Sequence, residues 1–388
     1  MSDIGIICEM NPLHRGHQYL LGEARRQGAE RIVCVMSGNT VQRGELAVAD
    51  KYTRAEALIR CGADLVLELP YPWSSASAEA FARAGISILR HVCEGVIFGS
   101  ECGDLKRLQA AATLAASADF RKKYRDALSE GKQAAGTYYE LLRKGGAGVL
   151  SSNDLLGVEY LRAAKELSVR LSFSTVPRQG ADYRSDRTEG EDYPSALAIR
   201  ALWQKGEFAQ GESYLPKESA AVFRRSWENG SLSDPKELDG AILSFFRLCD
   251  PQALSMIAGA ESGLVNRFCE GAHQSISAEE MMERIRTKRY TDSHIRRVLL
   301  YCMTGVMAED LQALPAYTTL LAANTKGREL LAQKRKEGAF LVVTKPSDAP
   351  ADTRQFLLTQ KADALFTLAA RKKRATGAMM KATPYICE

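Results

Sequence analysis

The sequence lacks the cysteine and histidine spacings of common zinc sites, since its nine cysteines include no C-x-x-C pair and no H-E-x-x-H occurs. We therefore predict no metal site built from protein side chains. No apolar run approaches the roughly 18 residues of a membrane span, and the N-terminus lacks the basic start of a signal peptide. An odd, scattered set of cysteines is typical of a reducing compartment. We expect a cytoplasmic protein with no membrane partner.

Three further motifs are absent. The chain contains no G-x-x-x-x-G-K-[ST], no G-x-G-x-x-G after its first apolar run and no nucleophile elbow around a serine. These absences argue against a P-loop enzyme, a usual dinucleotide-binding fold and Ser-His-Asp hydrolysis. The net charge of +5 is mild and gives only weak support for a polyanionic partner.

Length and composition predict two folded domains. The 388 residues exceed what one hydrophobic core usually supports, and contents of 45% hydrophobic and 26% charged residues are ordinary for globular domains. Short β-branched runs alternate with helical patterns in the first half, which predicts a doubly wound α/β domain with a parallel sheet. Beyond Gly206 the apolar positions recur at helical spacing. We predict an α/β domain over 1–205 and a mainly helical domain over 206–388.

The predicted elements of the first domain follow from this alternation. Strands are predicted at residues 4–8, 31–36, 64–69, 95–98 and 170–176. Helices are predicted at 16–27, 50–61 with Asp50 as N-cap, 77–91 and 153–167, and 104–144 is predicted to be a helical insertion. In the second domain, 339–344 is predicted to be a lone strand or an extended connector.

The strongest local signal is His14-Arg15-Gly16-His17, which follows the first predicted strand and opens a helix. A helix N-terminus carries unpaired N–H groups and a partial positive charge, which stabilise a bound phosphate. Because Gly16 has no Cβ, we expect the nucleotide to approach the backbone there. His14 and His17 can donate hydrogen bonds to charge that develops at an attacked α-phosphate, which favours phosphoryl transfer. Two surface histidines beside a helix cap are the alternative, and the position after the first strand weakens it.

Further candidates lie where ligands bind in this kind of sheet. Ser195 can cap a helix that carries Arg200 as a second phosphate clamp, although an ordinary capped helix explains the pattern equally well. Gly99 follows the fourth strand and can lie against the adenine or ribose. Asn153 heads a helix, either as a plain N-cap or as a nucleotide contact. Arg178 follows the fifth strand, where its planar guanidinium suits a phosphate or a carboxylate.

Basic residues form two clusters in the second domain. The first contains Arg284, Arg286, Lys288, Arg289, Arg296 and Arg297, with Tyr290 among them, and the second is Arg371-Lys372-Lys373-Arg374. Such clusters fit contact with a phosphate backbone, and an aromatic ring can stack on an exposed base. A solvated helix face explains them equally well.

Taken together, these motifs resemble the bacterial tRNA(Met) cytidine acetate ligase family, relatives of the HxGH nucleotidylyltransferases. The resemblance covers nearly the whole chain and is clearest at residues 5–17, 35–39, 42–45, 62–70, 98–101, 152–160, 195–200, 295–297 and 327–331. The chain departs from the family pattern at Met10, Leu13 and Arg15, and it has Leu150 where the family often has a lysine. Arg15 adds a positive charge beside the expected phosphates, and the missing lysine at position 150 removes one nearby.

The resemblance implies a HUP/Rossmann-like nucleotidylyltransferase domain and an ATP-dependent ligase. ATP and acetate would form acetyladenylate with loss of pyrophosphate, and the N4 amine of the wobble cytidine of elongator tRNA(Met) would take the acetyl group. Mg²⁺ is expected with the ATP phosphates, and His14 and His17 are expected to be catalytic. The implied ATP site comprises Ile7, Cys8, Glu9, Met10, Asn11, Pro12, Leu13, His14, Arg15, Gly16, His17, Gln18, Tyr19, Leu20, Gly99, Asn153 and Arg178, to which we add Ser195 and Arg200. The expected RNA-binding residues are Arg289, Arg296 and Arg297.

Two other functions stay open. One is a small-molecule adenylyl- or cytidylyltransferase that ignores RNA. The other is a non-catalytic nucleotide- or RNA-binding protein, against which the paired histidines argue, because a sensor needs no stabilisation of a pentavalent phosphate. The residues alone leave open the acid substrate, the oligomeric state and whether Mg²⁺ is held by a carboxylate such as Glu9.

Overall fold

The computed structural model describes residues 2–178, 194–287, 289–338 and 340–388. Lys288 of the first basic cluster and Ala339 of the candidate strand lie outside the described residues. Within the described ranges an eight-stranded sheet separates two hydrophobic cores. No helix in this part of the chain is long and apolar enough to cross a bilayer.

Most of the sheet is parallel. The described strands are β1 Asp3–Cys8, β2 Arg31–Ser37, β3 Thr40–Val41, β4 Glu45–Leu46, β5 Leu65–Leu69, β6 Gly95–Ser100, β7 Ser172–Pro177, β8 Thr318–Ala323, β9 Val342–Val343 and β10 Tyr385–Ile386. Their order in the large sheet is β10-β8-β5-β2-β1-β6-β7, with β9 beside β8, while β3 and β4 form a separate hairpin. Five neighbouring strands, β5-β2-β1-β6-β7, pair in parallel. This arrangement confirms the predicted doubly wound α/β class.

Helices cover both faces of the sheet and form most of the C-terminal half. They are α1 Arg15–Arg26, α2 Lys51–Arg60, α3 Ala78–Leu89, α4 Leu105–Ala115, α5 Ala118–Ser129, α6 Ala134–Leu142, α7 Ser152–Glu166, α8 Ala196–Gln204, α9 Phe208–Glu212, α10 Lys217–Glu228, α11 Asp239–Leu248, α12 Ser262–Gln274, α13 Ala278–Ile285, α14 Asp292–Thr304, α15 Ala308–Gln312, α16 Thr325–Lys336, α17 Arg354–Ala369 and α18 Gly377–Met380. The insertion predicted at 104–144 is confirmed as α4 to α6. Asp50 caps α2 as predicted, because its carboxylate accepts from the amide of Thr53 at 2.9 Å.

Strand β2 shows why the sheet is buried on both sides. Val33 and Val35 pack into the core that α3 and α7 complete, whereas Ile32, Cys34 and Met36 pack into the core that α1 and α2 complete. The strand order reverses at β1, which lies between β2 and β6. Ligands of open α/β sheets bind beyond the carboxyl ends of the strands at such a reversal.

The C-terminal half also supplies strands to this sheet. β8 is buried along its length and pairs antiparallel with β5. The sequence analysis missed it, because its Thr-Thr-Leu-Leu-Ala-Ala run is short and poor in β-branched aliphatic residues. The candidate strand at 339–344 forms as β9, at the side of β8. The domain boundary near residue 206 stays a prediction.

A buried ionic network also joins the two halves. Lys51 Nζ lies 2.8 Å from Glu68 Oε1 and 3.0 Å from Asp363 Oδ2. The amide nitrogen of the Asn39 side chain donates to Asp363 Oδ1 at 2.8 Å. Buried charges of this kind are tolerated only when they are paired. The network therefore holds α17 against the carboxyl ends of β2 and β5.

Candidate active site

A cleft of about 170 Å³ opens beyond the carboxyl ends of β1 and β6. Its walls also include the β3–β4 hairpin and the first residues of α1, α7 and α8. The structure brings the following sequence-predicted site residues together in its lining: Ile7, Cys8, Glu9, Met10, Asn11, His14, Gly16, His17, Tyr19, Leu20, Gly99, Asn153, Arg178 and Arg200. Residues from five separate segments thus meet at the point where the strand order reverses.

Five predicted site residues do not line the cleft: Pro12, Leu13, Arg15, Gln18 and Ser195. Leu13 is fully buried in the core beneath α1. Arg15 points away from the cleft, where its guanidinium donates to the carbonyl of Ser213 at 2.8 Å. Ser195 is buried, and its hydroxyl accepts from the amide of Ala198 at 3.1 Å as the cap of α8.

The two histidines are held in one tautomer by backbone amides. His14 Nδ1 accepts from the amide of Gly16 at 3.1 Å, and His17 Nδ1 accepts from the amide of His14 at 3.3 Å. A neutral imidazole that accepts at Nδ1 carries its proton on Nε2. Burial lowers the pKa of His14 well below its usual value, and burial together with Arg178 lowers the pKa of His17 to about 3. We therefore expect both rings to be neutral at pH 7, with a donor proton on Nε2.

The missing side chain of Gly16 makes room for the imidazole of His14. A Cβ at this position would lie 2.9 Å from Cε1 of His14, and the approach of a nucleotide to the backbone here stays a prediction. The amides of the first turn are also occupied, because Gly16 donates to His14 Nδ1 and Arg15 donates to the carbonyl of Tyr214 at 3.3 Å. These two amides therefore already have acceptors, whereas the two imidazoles line the cleft.

We call one side of the cleft the histidine half, defined by His14, His17, Gly99, Asn153 and Arg178. Asn153 Nδ2 donates to Glu101 Oε1 at 2.7 Å, and Arg178 Nη1 lies 3.8 Å from the same oxygen. Glu101 Oε2 also accepts from the amide of Asp154 at 3.2 Å. Glu101 was not among the predicted site residues, although it belongs to the motif at 98–101. Its carboxylate shows that the start of α7 accommodates an anion beside Arg178.

We call the opposite side the hairpin half, defined by Glu9, Gln42, Arg43, Glu45 and Arg200. The amide of Gln42 donates to Glu9 Oε1 at 2.7 Å. Arg200 Nη1 donates to the carbonyl of Asn11 at 2.7 Å, and its Nη2 lies 3.4 Å from Glu45 Oε2. The sequence analysis did not predict the hairpin, because strands of two residues show no periodicity. The family resemblance at residues 42–45 was the sequence feature that pointed to this segment.

The hairpin half is also where helix α14 reaches the cleft. Gly44 has a φ of +76°, and a Cβ there would lie 2.4 Å from the backbone nitrogen of Arg297. Arg296 Nη1 donates to Glu45 Oε1 at 2.5 Å, and Arg297 Nη1 donates to the carbonyl of Gln42 at 3.2 Å. Two of the predicted RNA-binding arginines therefore lie against the cleft wall.

Several of the other described basic residues pair with carboxylates outside the cleft. Arg289 lies 2.8 Å from Glu261 and over the ring of Tyr290. In the cluster at 371–374, three side chains lie 3.1 to 3.9 Å from carboxylates of neighbouring segments. These contacts neutralise much of the charge that suggested a second RNA surface.

The open parallel sheet, with paired histidines after its first strand, defines a nucleotidyltransferase. The model of the HIGH Nucleotidyl Transferase family matches residues 1–380. The tRNA(Met) cytidine acetate ligase of Acetivibrio thermocellus is 33% identical over 370 residues, which cover 90% of this chain and 89% of that relative. The ligase of Thermotoga maritima is 34% identical over 380 residues, or 90% of each chain. This chain belongs to the tRNA(Met) cytidine acetate ligase family.

Solved structures agree with this assignment. The crystal structure of Thermotoga maritima TmcAL without ligand superposes with a TM-score of 0.90 at 31% identity, covering 100% of this chain and 99% of that chain. The structure of the same protein bound with alpha-thio ATP superposes with a TM-score of 0.88 at 30% identity, covering 100% of both chains. The whole fold, including the C-terminal half, is therefore shared.

Proposed function

We propose that this protein is an ATP-dependent ligase that activates acetate as acetyladenylate and transfers the acetyl group to N4 of the wobble cytidine of elongator tRNA(Met). The product is N4-acetylcytidine. Membership of the ligase family supports this function. The structural observation that carries it is the pair of neutral imidazoles, His14 and His17, whose Nε2 protons are available in the cleft.

In the first step the histidine half acts on ATP. An acetate oxygen attacks the α-phosphorus, the new P–O bond forms, and the bond to the pyrophosphate oxygen breaks. Negative charge grows on the phosphate oxygens during this step, and donors that are already oriented stabilise it most. We assign His14, His17 and Arg178 as such donors and Gly99 and Asn153, which line the same half of the cleft, as contacts of the nucleoside.

Mg²⁺ is expected to bind through the ATP phosphates. The ion prefers oxygen ligands and usually reaches proteins through one or two carboxylates and substrate phosphates. Among the described residues that line the cleft, the carboxylates are Glu9 and Glu45, and both belong to the hairpin half. A bound Mg²⁺ would offset phosphate charge. The two imidazoles can bind the nucleotide whether or not a protein side chain is a ligand of the ion.

In the second step the hairpin half faces the RNA. The anticodon cytidine lies in a single-stranded loop, so its base can enter the cleft at little unpairing cost. Arg296 and Arg297 lie beside the hairpin, where they can contact phosphates of that loop. N4 then attacks the carbonyl carbon of acetyladenylate and AMP leaves. A tRNA substrate would place this activity in the cytoplasm.

The function is tested by following labelled acetate into total bacterial tRNA with purified protein, ATP and Mg²⁺. A parallel reaction supplies acetyl-CoA in place of acetate and ATP. We expect label in tRNA only with free acetate and ATP. Pyrophosphate release without label in RNA would instead indicate a small-molecule nucleotidyltransferase, and no consumption of ATP would indicate a non-catalytic binding protein.

A further inference from the structure

The cleft contains one carboxylate, Glu9, to which the adenylation step described above gives no direct role. Of the two carboxylates among the described lining residues, Glu45 is engaged by both Arg200 and Arg296. Glu9 accepts a hydrogen bond from the amide of Gln42 at its Oε1 atom, and it makes no ion pair with any described residue. Its Oε2 atom is therefore available for a ligand in the cleft.

Glu9 belongs to the hairpin half of the cleft, where Gln42 contacts both Glu9 and Arg297 of helix α14. It follows β1 directly, and the charged groups that face it are Arg200, Arg43 and Arg54, whereas Arg178 faces the histidines. Helix α14 packs on the same hairpin that holds Glu9, through Gly44 and Gln42. An RNA bound along α14 would thus lie beside the half of the cleft that contains Glu9.

The backbone around Glu9 is rigid. Its carbonyl accepts from the guanidinium of Arg54 at 2.6 Å, and Arg54 is fully buried. Burial also raises the pKa of the Glu9 carboxyl, against the opposing effects of the Gln42 amide and the nearby arginines. A carboxylate of raised pKa in a fixed position is suited to accept a proton from a reacting group.

We propose that Glu9 receives the N4 amine of the target cytidine and accepts its proton during acetyl transfer. This inference rests on the proposed function. As the bond from N4 to the acetyl carbonyl carbon forms, the bond from that carbon to the phosphate oxygen breaks, and AMP leaves with the electron pair. One N4 proton moves to Glu9 Oε2, from which solvent later removes it.

The same contact would select the base. Carboxylates recognise cytosine by accepting from its N4 amine, whereas uracil presents an acceptor oxygen at that position. An ionised Glu9 would therefore attract cytidine and repel uridine. Glu9 is in this way both a catalytic residue for the second step and a determinant of base specificity.

The test is Glu9→Gln, which keeps an oxygen to accept the Gln42 amide but cannot take a proton. We would measure acetate-dependent ATP–pyrophosphate exchange for the first step and single-turnover acetyl transfer to tRNA for the second. Exchange reports any effect of the variant on adenylation, and transfer should fall on the order of 100-fold, well beyond any loss of exchange. The wild-type transfer rate should rise with pH as Glu9 ionises, and the variant should lose that rise. Glu130→Gln, which changes an exposed carboxylate outside the cleft, is the matched control and should alter neither step.

A binding measurement gives an independent readout. Wild-type protein should bind tRNA with cytidine at the wobble position more tightly than tRNA with uridine there, and Glu9→Gln should lose most of that preference. An equal loss of exchange and transfer, unchanged transfer, or an unchanged base preference would each overturn the role of Glu9. If wild-type protein shows acetate-dependent exchange and RNA labelling, the proposed function stands even if the variant contradicts the role of Glu9.

Discussion

The two halves of the cleft are built in different ways. The histidine half depends on hydrogen bonds within four consecutive residues, where backbone amides orient His14 and His17 as neutral donors. The hairpin half is assembled by ionic contacts between segments far apart in the chain, with Glu45 between Arg200 and Arg296. Neutral, locally fixed donors suit the phosphates of a small nucleotide, whereas partly exposed arginines suit a polyanion whose binding depends on salt. We therefore expect changes in the first half to affect adenylation and changes in the second half to affect RNA.

The largest expected effect is that of His17→Ala, because it removes an oriented donor to the attacked phosphate. Acetate-dependent ATP–pyrophosphate exchange should fall on the order of 100-fold or more. Binding of tRNA, measured by filter binding, should be unchanged. His273→Ala, at an exposed position of α12, serves as the control. A parallel loss of exchange and tRNA binding would remove the distinction between the two halves.

A smaller loss is expected for Gly16→Ala. The new Cβ would displace the His14 ring, from which it would be 2.9 Å, so exchange should fall about tenfold while the fold is retained. Gly22→Ala in the same helix is the matched control, since its Cβ would meet only the end of Arg26 at 3.6 Å. The control should keep full activity and gain slightly in thermal stability. Equal activity of the two variants would contradict the packing role of Gly16.

For the hairpin half, Arg296→Ala should weaken tRNA binding several-fold and leave exchange close to wild type. Loss of one phosphate contact should also lower the slope of log affinity against log salt concentration by about 1. Arg143→Ala is the control, because Arg143 is an exposed, ion-paired arginine in the helical insertion. Unchanged salt dependence would exclude Arg296 from the RNA interface.

The smallest effect concerns acid stability. The pKa values of His14 and His17 are lowered in the folded protein, so the unfolded chain binds more protons than the folded one as pH falls below the usual histidine pKa. The free energy of unfolding should therefore decrease between about pH 7.5 and about pH 5.5, as urea denaturation would measure. His17→Gln should show a shallower decrease. The same decrease in both proteins would mean that His17 titrates normally.

Much of the fold was predictable, because parallel strands buried on both faces give continuous apolar runs. Strands β1, β2, β5, β6 and β7 lie within two residues of their predicted bounds. Strand β8 and the β3–β4 hairpin were not predicted, since one is poor in β-branched aliphatic residues and the other is too short for a pattern. Their positions depend on contacts with distant segments, which periodicity does not reveal.

The site was predictable to the level of its segments. Residues near the ends of β1, β6 and β7 were expected to meet, and they do. The direction of individual side chains was not predictable. Arg15 follows His14 by one helical step of about 100°, so it faces Ser213 while His14 and His17 share a side. That Gly16 accommodates an imidazole depends on the rotamer of His14, which spacing alone does not give.

Strand β8 has a consequence for how this protein can evolve. It comes from the C-terminal half, yet it covers the edge of β5, whose residues are fully buried. Recombination that exchanged the helical half at residue 206 would also replace this strand, and a poorly matched strand would leave β5 open to pairing with other chains. The two halves are therefore expected to be inherited together, so that new RNA specificities arise by point substitution on α14 and the hairpin rather than by gene fusion.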